Sequence, residues 1–123
     1  MAQAAPFKPI VMVVEDDPWQ RELVVALLES SAMGVVQCAS AEAAVEVLDK
    51  IADRVSMIFT DVNLAGRIDG VALAHLSKDS YPNIHVVVTS SLALTKRLPN
   101  GATFLAKPWL PGDLLREVDR SLQ

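Results

Sequence analysis

Two kinds of apolar pattern alternate along the chain. Short continuous runs rich in β-branched residues recur at Ile10 to Val14, Val35 to Cys38, Met57 to Thr60, Ile84 to Thr89 and Thr103 to Ala106, and such runs predict strands. Between them apolar positions return at helical spacing: Leu23, Val24, Leu27 and Leu28, then Ala44, Val45, Leu48 and Ile51, and last Leu114, Leu115, Val118 and Leu122. Residues three and four apart share a helix face, so each set predicts a helix laid against a sheet. Uninterrupted runs such as "IVMVV" and "VVV" suit strands buried on both faces. Strand-helix alternation adds a parallel sheet with right-handed crossovers. The expected fold class is α/β.

Local signals refine the pattern. Asp17 before Pro18 predicts a helix start, with aspartate as N-cap and proline at the first helical position. Asp69 before Gly70 predicts the turn and cap of a third helix. The stretch "SSLALTKRLPNGA" contains Pro99, Asn100 and Gly101, which leaves room for only a shortened or irregular fourth helix, roughly Leu92 to Arg97.

At 123 residues and 13.3 kDa the chain fits one domain with a sizeable core. A composition of 51% hydrophobic and 21% charged residues excludes disorder. The apolar runs are too short to span a bilayer, and "MAQAAPFKP" lacks a secretory pattern, so the expected location is cytoplasmic. The lone Cys38 agrees with a reducing compartment. A net charge of −4 without clustered basic residues argues against direct nucleic-acid binding.

The chemistry gathers at the predicted strand ends. Open parallel sheets bind ligands outside the carboxyl ends of their strands, near the reversal in winding. Strand one runs into Glu15 and Asp16, strand three into Asp61, strand four into Thr89 with Ser90 and Ser91 beyond, and strand five into Lys107. Crowded carboxylates resist ionising together, so they need a cap, a cation or a chemical task. Mg2+ meets that need, because it takes one or two carboxylates together with waters and phosphate oxygens. Asp61 could then act as a nucleophile toward phosphorus, with Lys107 and Thr89 on the phosphoryl oxygens.

Each residue has a plainer reading. Glu15 and Asp16 could merely complement a positive helix end, worth about 0.3 to 1 kcal/mol each. Thr89 could be an ordinary strand residue and Lys107 a solvated charge. Convergence on the ligand-binding edge favours the joint reading. His75 and His85 lack an acid or cysteine at metal spacing and are expected to be structural.

These residues resemble the receiver domain of two-component response regulators, through "VMVVEDDP", "IFTDVNL", "VVVTSS" and "FLAKPW" in receiver order. The resemblance implies a flavodoxin-like, doubly wound five-stranded parallel sheet of order 2-1-3-4-5. It makes residues 9–123 the receiver domain, with 1–8 as an N-terminal extension, and suggests the stand-alone single-domain type. It implies that Asp61 is the phosphoacceptor. Glu15, Asp16, Asp61 and the backbone carbonyl of Asn63 would hold Mg2+, and Lys107 would pair with the phosphoryl group. Thr89 and Phe104 match the switch pair, and Lys107-Pro108 the family's cis peptide. Such a domain is not an enzyme beyond promoting its own phosphorylation and dephosphorylation. Its partners would be a sensor histidine kinase or histidine phosphotransfer protein and a downstream protein.

Two departures stand out. The family usually has a proline soon after the phosphoacceptor, whereas "DVNLAGRIDG" places Ala65 and Gly66 there, and a more mobile loop is expected. The segment between Thr89 and Lys107 is about one helical turn shorter than usual. Trp19, Pro108, Trp109 and Leu110 are candidate docking residues, with core packing as the alternative. Rival readings are a haloacid-dehalogenase-like phosphatase and a receiver-like interaction module that no longer switches. The first fails on motif order, and retention of every chemical residue argues against the second. No glycine-rich phosphate loop follows strand one, which disfavours a nucleotide-binding domain.

Overall fold

The computed structural model describes residues 8–123. Most of the expected N-terminal extension, residues 1–7, lies outside them. Five parallel strands form one sheet: β1 (Ile10–Val14), β2 (Gly34–Cys38), β3 (Val55–Asp61), β4 (His85–Ser90) and β5 (Thr103–Ala106), in the order β2-β1-β3-β4-β5. Four helices accompany them: α1 (Pro18–Glu29), α2 (Ala41–Ile51), α3 (Gly70–Ser80) and α4 (Pro111–Ser121). One short 3-10 turn, Ala52–Arg54, leads from α2 into β3. The architecture is the flavodoxin-like fold expected from the sequence.

Period-two alternation divides the core. Met12, Val14, Ile58, Val86 and Val88 pack on one face with Leu48 of α2 and Leu73 of α3. Val11, Val13, Met57, Phe59 and Val87 pack on the other with Leu28 of α1 and Leu114 of α4. Both faces of the central strands are therefore covered, which is why β1 reads as an unbroken apolar run.

The predicted caps form. The Asp17 carboxylate accepts the Trp19 N–H at 2.9 Å with Pro18 starting α1, and Asp69 accepts the Ala72 N–H at 2.8 Å. Gly70 opens α3 against the end of β3, where a Cβ would overlap the Asp61 carbonyl oxygen. Only glycine permits that approach.

Three expectations are corrected. Leu23 does not face the core: Val24, Val25 and Leu28 do, and rotation along α1 leaves Leu23 62% exposed on the flank. Leu122 follows the end of α4 and is 51% exposed. Finally, no helix forms over Leu92 to Arg97, and residues 91–102 run as bends and turns between β4 and β5. Side-chain bonds to α3 hold that strap instead. Lys96 pairs with Asp69 at 2.9 Å, and the His75 ring nitrogen bonds the Arg97 carbonyl at 2.8 Å. Leu98 packs onto the core.

Both histidines are placed away from the acidic edge. His85 begins β4 and meets Glu117 of α4 at 2.9 Å, and Arg120 reaches the other Glu117 oxygen at 3.0 Å. The sequence had not revealed this acid partner, because residues 85 and 117 meet only through the sheet-helix packing.

Leu28→Ala is expected to cost about 2 to 5 kcal/mol, whereas Leu122→Ala should stay within about 0.5 kcal/mol. Urea unfolding of the two variants measures the contrast.

Candidate functional site

The site lies at the carboxyl edge of the sheet, where the winding reverses between β1 and β3. Glu15 follows β1 directly and is buried. One of its oxygens accepts the Asp17 N–H at 3.1 Å. Its backbone carbonyl accepts the Arg21 guanidinium at 2.7 Å, which braces the turn from β1 into α1. Asp61 ends β3 and is half-buried. Lys107, just past β5, brings its ammonium to 3.3 Å from Asp61 Oδ1 and 4.0 Å from Glu15 Oε1. Residues 15, 61 and 107 are thus brought together by three different strands.

Gln20 completes the ammonium's surroundings. Lys107 Nζ donates to Gln20 Oε1 at 2.8 Å, and Gln20 Nε2 donates to Asp17 Oδ2 at 3.2 Å. Sequence reasoning missed Gln20. Its position one helical turn after the acidic pair was the available signal, but an exposed glutamine carries no charge to attract notice.

Asp16 is exposed and turned toward the loop after β3, accepting the Ala65 N–H at 3.0 Å. Asn63 lies in that loop with its residue exposed. The loop, expected to be mobile, is pinned at further points: Glu42 Oε2 accepts the Arg67 N–H at 2.7 Å and the Ile68 N–H at 3.3 Å. Two carboxylates hold the segment where the family's proline is missing.

Thr89 is buried near the end of β4, paired in register with Asp61. Its hydroxyl does not point to a free site oxygen here. It donates to the Leu105 carbonyl at 2.6 Å. Phe104 is half-buried on β5 opposite Val88, whereas Leu105 lies opposite Thr89. Alternation therefore puts Thr89 and Phe104 on different faces of the sheet. The two are joined through the Leu105 peptide, not through side-chain contact. The Lys107-Pro108 peptide is cis, as expected.

Of the candidate docking residues, Trp19 is 82% exposed and Leu110 71% exposed. Trp109 is half-buried and meets Phe59 edge-on, with ring centroids 5.6 Å apart and an interplanar angle of 87°. Between α1 and the turn into α4 runs an apolar groove of about 540 Å³, lined by Leu23, Leu27, Pro108 and Trp109 and reaching Lys107 at its inner end.

Burial pushes the Glu15 carboxyl up to about 7, and the nearby Asp61 charge adds to the rise. An anionic pair only partly answered by Lys107 is a place where a cation gains. Among the described residues no three His, Cys, Asp or Glu side chains form a ready metal cage. Mg2+ does not require one, since it keeps waters and needs few protein oxygens. Glu15 and Asp61 offer hard carboxylate oxygens of the kind that ion takes, whereas an Asp16 oxygen is engaged with the Ala65 N–H.

A carboxylate, ammonium and hydroxyl gathered at the carboxyl edge of a five-stranded parallel sheet match a class of signalling domain. The chain matches the response regulator receiver domain over residues 11–119, and it belongs to that family. Similar solved structures include a CheY-like response regulator receiver domain protein from Methanospirillum hungatei JF-1, with 20% identity, 94% of each chain covered and a TM-score of 0.83. A response regulator receiver protein from Sinorhizobium medicae WSM419 has 21% identity over 94% of this chain and 95% of that one, with a TM-score of 0.84. The receiver domain of a signal transduction histidine kinase from Syntrophus aciditrophicus has 27% identity over 93% and 89%, with a TM-score of 0.82.

A folded-state carboxyl raised from 4.5 to about 7 retains a proton that the unfolded chain has lost. The resulting stability is fully present below about pH 4.5 and is lost as pH rises through about 7. Glu15→Gln should therefore stabilise the metal-free protein at pH 8 by on the order of 1 kcal/mol and flatten this pH dependence. Thermal unfolding in chelator across that range measures both effects.

Proposed function

We propose that residues 9–123 act as the phosphoacceptor domain of a two-component phosphorelay, with Asp61 receiving the phosphoryl group. The observation that carries this reading is the Lys107 ammonium, 3.3 Å from Asp61 Oδ1 and within reach of buried Glu15. The donor is a phosphohistidine on a sensor histidine kinase or phosphotransfer protein. An Asp61 oxygen attacks phosphorus, the O–P bond forms as the N–P bond breaks, and the imidazole leaves with the electron pair and takes a proton from solvent. Water later attacks the acyl phosphate and returns Asp61 and inorganic phosphate.

Glu15, Asp16, Asp61 and the Asn63 carbonyl would hold Mg2+, which when bound supplies neutralising charge between carboxylates and phosphoryl oxygens. Lys107 stabilises the charge of the transferred group, and its Gln20 bond keeps the ammonium aimed across the strand ends. Thr89 is the switch: a phosphoryl group on Asp61 offers its hydroxyl a charged acceptor in place of the Leu105 carbonyl. Release of that carbonyl frees the peptide beside Phe104, so the ring and the strap can take a second arrangement read by a downstream protein.

Trp19, Pro108, Trp109 and Leu110 serve docking of the phosphodonor protein. Trp19 and Leu110 supply exposed contact, while Trp109 also packs on Phe59. No helix among the described residues is long and apolar enough to cross a membrane, and the proposed work is in the cytoplasm beside such a donor.

Wild type incubated with Mg2+ and acetyl phosphate should gain the mass of one phosphoryl group, sensitive to hydroxylamine, and Asp61→Asn should gain none. Steady phosphate release from unrelated monoesters would instead favour a phosphatase. Trp19→Ala should slow transfer from a kinase about tenfold or more while leaving labelling by acetyl phosphate near wild type. Equal slowing by both donors would remove Trp19 from the docking surface.

A further inference from the structure

The loop after the phosphoacceptor has an anchor outside the expected site. Glu42 sits in the first turn of α2, where a carboxylate ordinarily complements the positive end of its own helix. Here its Oε2 reaches across to accept the Arg67 and Ile68 N–H groups. The Arg67 bond is the foremost cause holding its carboxyl below the ordinary range. Its Oε1 is shielded from solvent and has no hydrogen-bond partner.

Gly66 lies close against that oxygen. The residue has φ +104°, and a Cβ there would lie 2.7 Å from Glu42 Oε1 and 2.9 Å from Oε2. The glycine therefore serves both the left-handed backbone and the close approach of the carboxylate. On the near side of the same loop, Asp16 accepts the Ala65 N–H. The segment between Asp61 and α3 is thus stretched between one carboxylate at the acidic edge and another on α2.

We infer that Glu42 is a positioning residue for the phosphoacceptor site, fixing the 63–68 loop so that the Asn63 carbonyl and Asp16 are held in place for a divalent cation. This rests on the proposed Mg2+ chemistry, yet the contacts themselves stand apart from it. Glu42 touches neither the cation nor the reacting atoms. It acts by removing the freedom of the backbone that carries one donor and restrains another, as hydrogen-bond partners of metal ligands generally do.

The test compares wild type, Glu42→Ala, Glu42→Gln and Gly66→Ala in three measurements: amide exchange, Mg2+ binding by calorimetry and unfolding in urea. Glu42→Ala is expected to speed exchange at Ala65, Arg67 and Ile68 while core amides stay protected, and to weaken Mg2+ about tenfold. Glu42→Gln keeps one acceptor oxygen and should stay within about threefold of wild type. Gly66→Ala should push the carboxylate off the loop and reproduce the Glu42→Ala loss from the other side of the contact. The double variant should add little beyond either single one.

Faster loop exchange with unchanged Mg2+ affinity would reduce Glu42 to a mere loop anchor and overturn the inference, as would unchanged exchange. Should Glu42→Ala fail to fold, Gly66→Ala decides by the same two readings. Failure of wild type to take a phosphoryl group from acetyl phosphate would defeat the phosphoacceptor reading alone. The exchange and Mg2+ measurements would still judge Glu42.

Discussion

The structure turns on an imbalance of charge at one edge of a sheet. Glu15 is buried at the end of β1, Asp61 ends β3 beside it, and the Lys107 ammonium answers both from beyond β5. Burial disfavours the ionised form of Glu15, and a neighbouring carboxylate disfavours it further. The fold tolerates this cost because the groups come from strands clamped into register by apolar packing on both faces. Such an edge suits the cation and the phosphoacceptor role proposed for it.

Two irregular segments border that edge, and each is restrained by side chains in place of regular structure. The loop after Asp61 lacks a stiffening proline but is tied by Asp16 and Glu42 through three backbone N–H groups. The strap between β4 and β5 lacks a helix but is tied to α3 through Lys96 and His75. Both ties are polar and reach a few residues each, so they can be exchanged at lower cost than buried apolar contacts. Thr89 links the start of that loop to β5, its carbonyl accepting the Val62 N–H and its hydroxyl donating to Leu105.

The chain's membership of the receiver family places this edge among signalling sites, not turnover sites. Consistent with that, the open groove beside Lys107 is apolar and shaped by Leu23, Leu27 and Trp109. Trp19 and Leu110, next in sequence to the lining residues Gln20 and Trp109, are large apolar groups left exposed.

What the amino-acid order determined by itself was local. β1 and β5 coincide with the runs Ile10 to Val14 and Thr103 to Ala106; for β1 the reason is that continuous β-branched sequence buried on both faces has one good use, whereas β5 is a half-buried edge strand. Asp17 and Asp69 were legible as caps, since capping depends on residues two or three positions away. The acidic edge was legible because parallel topology forces successive strand ends to one side. Tertiary structure decided the rest. Leu23 left the core because the rotation of α1 is set by what it packs against, and helical spacing alone cannot choose among adjacent apolar stripes. Gln20 and Glu42 joined the site through contacts 87 and 25 residues distant in sequence, for which no local pattern exists. Thr89 turned to Leu105 because its hydroxyl, once buried, must find an acceptor, and only the assembled neighbour strand determines which one is near.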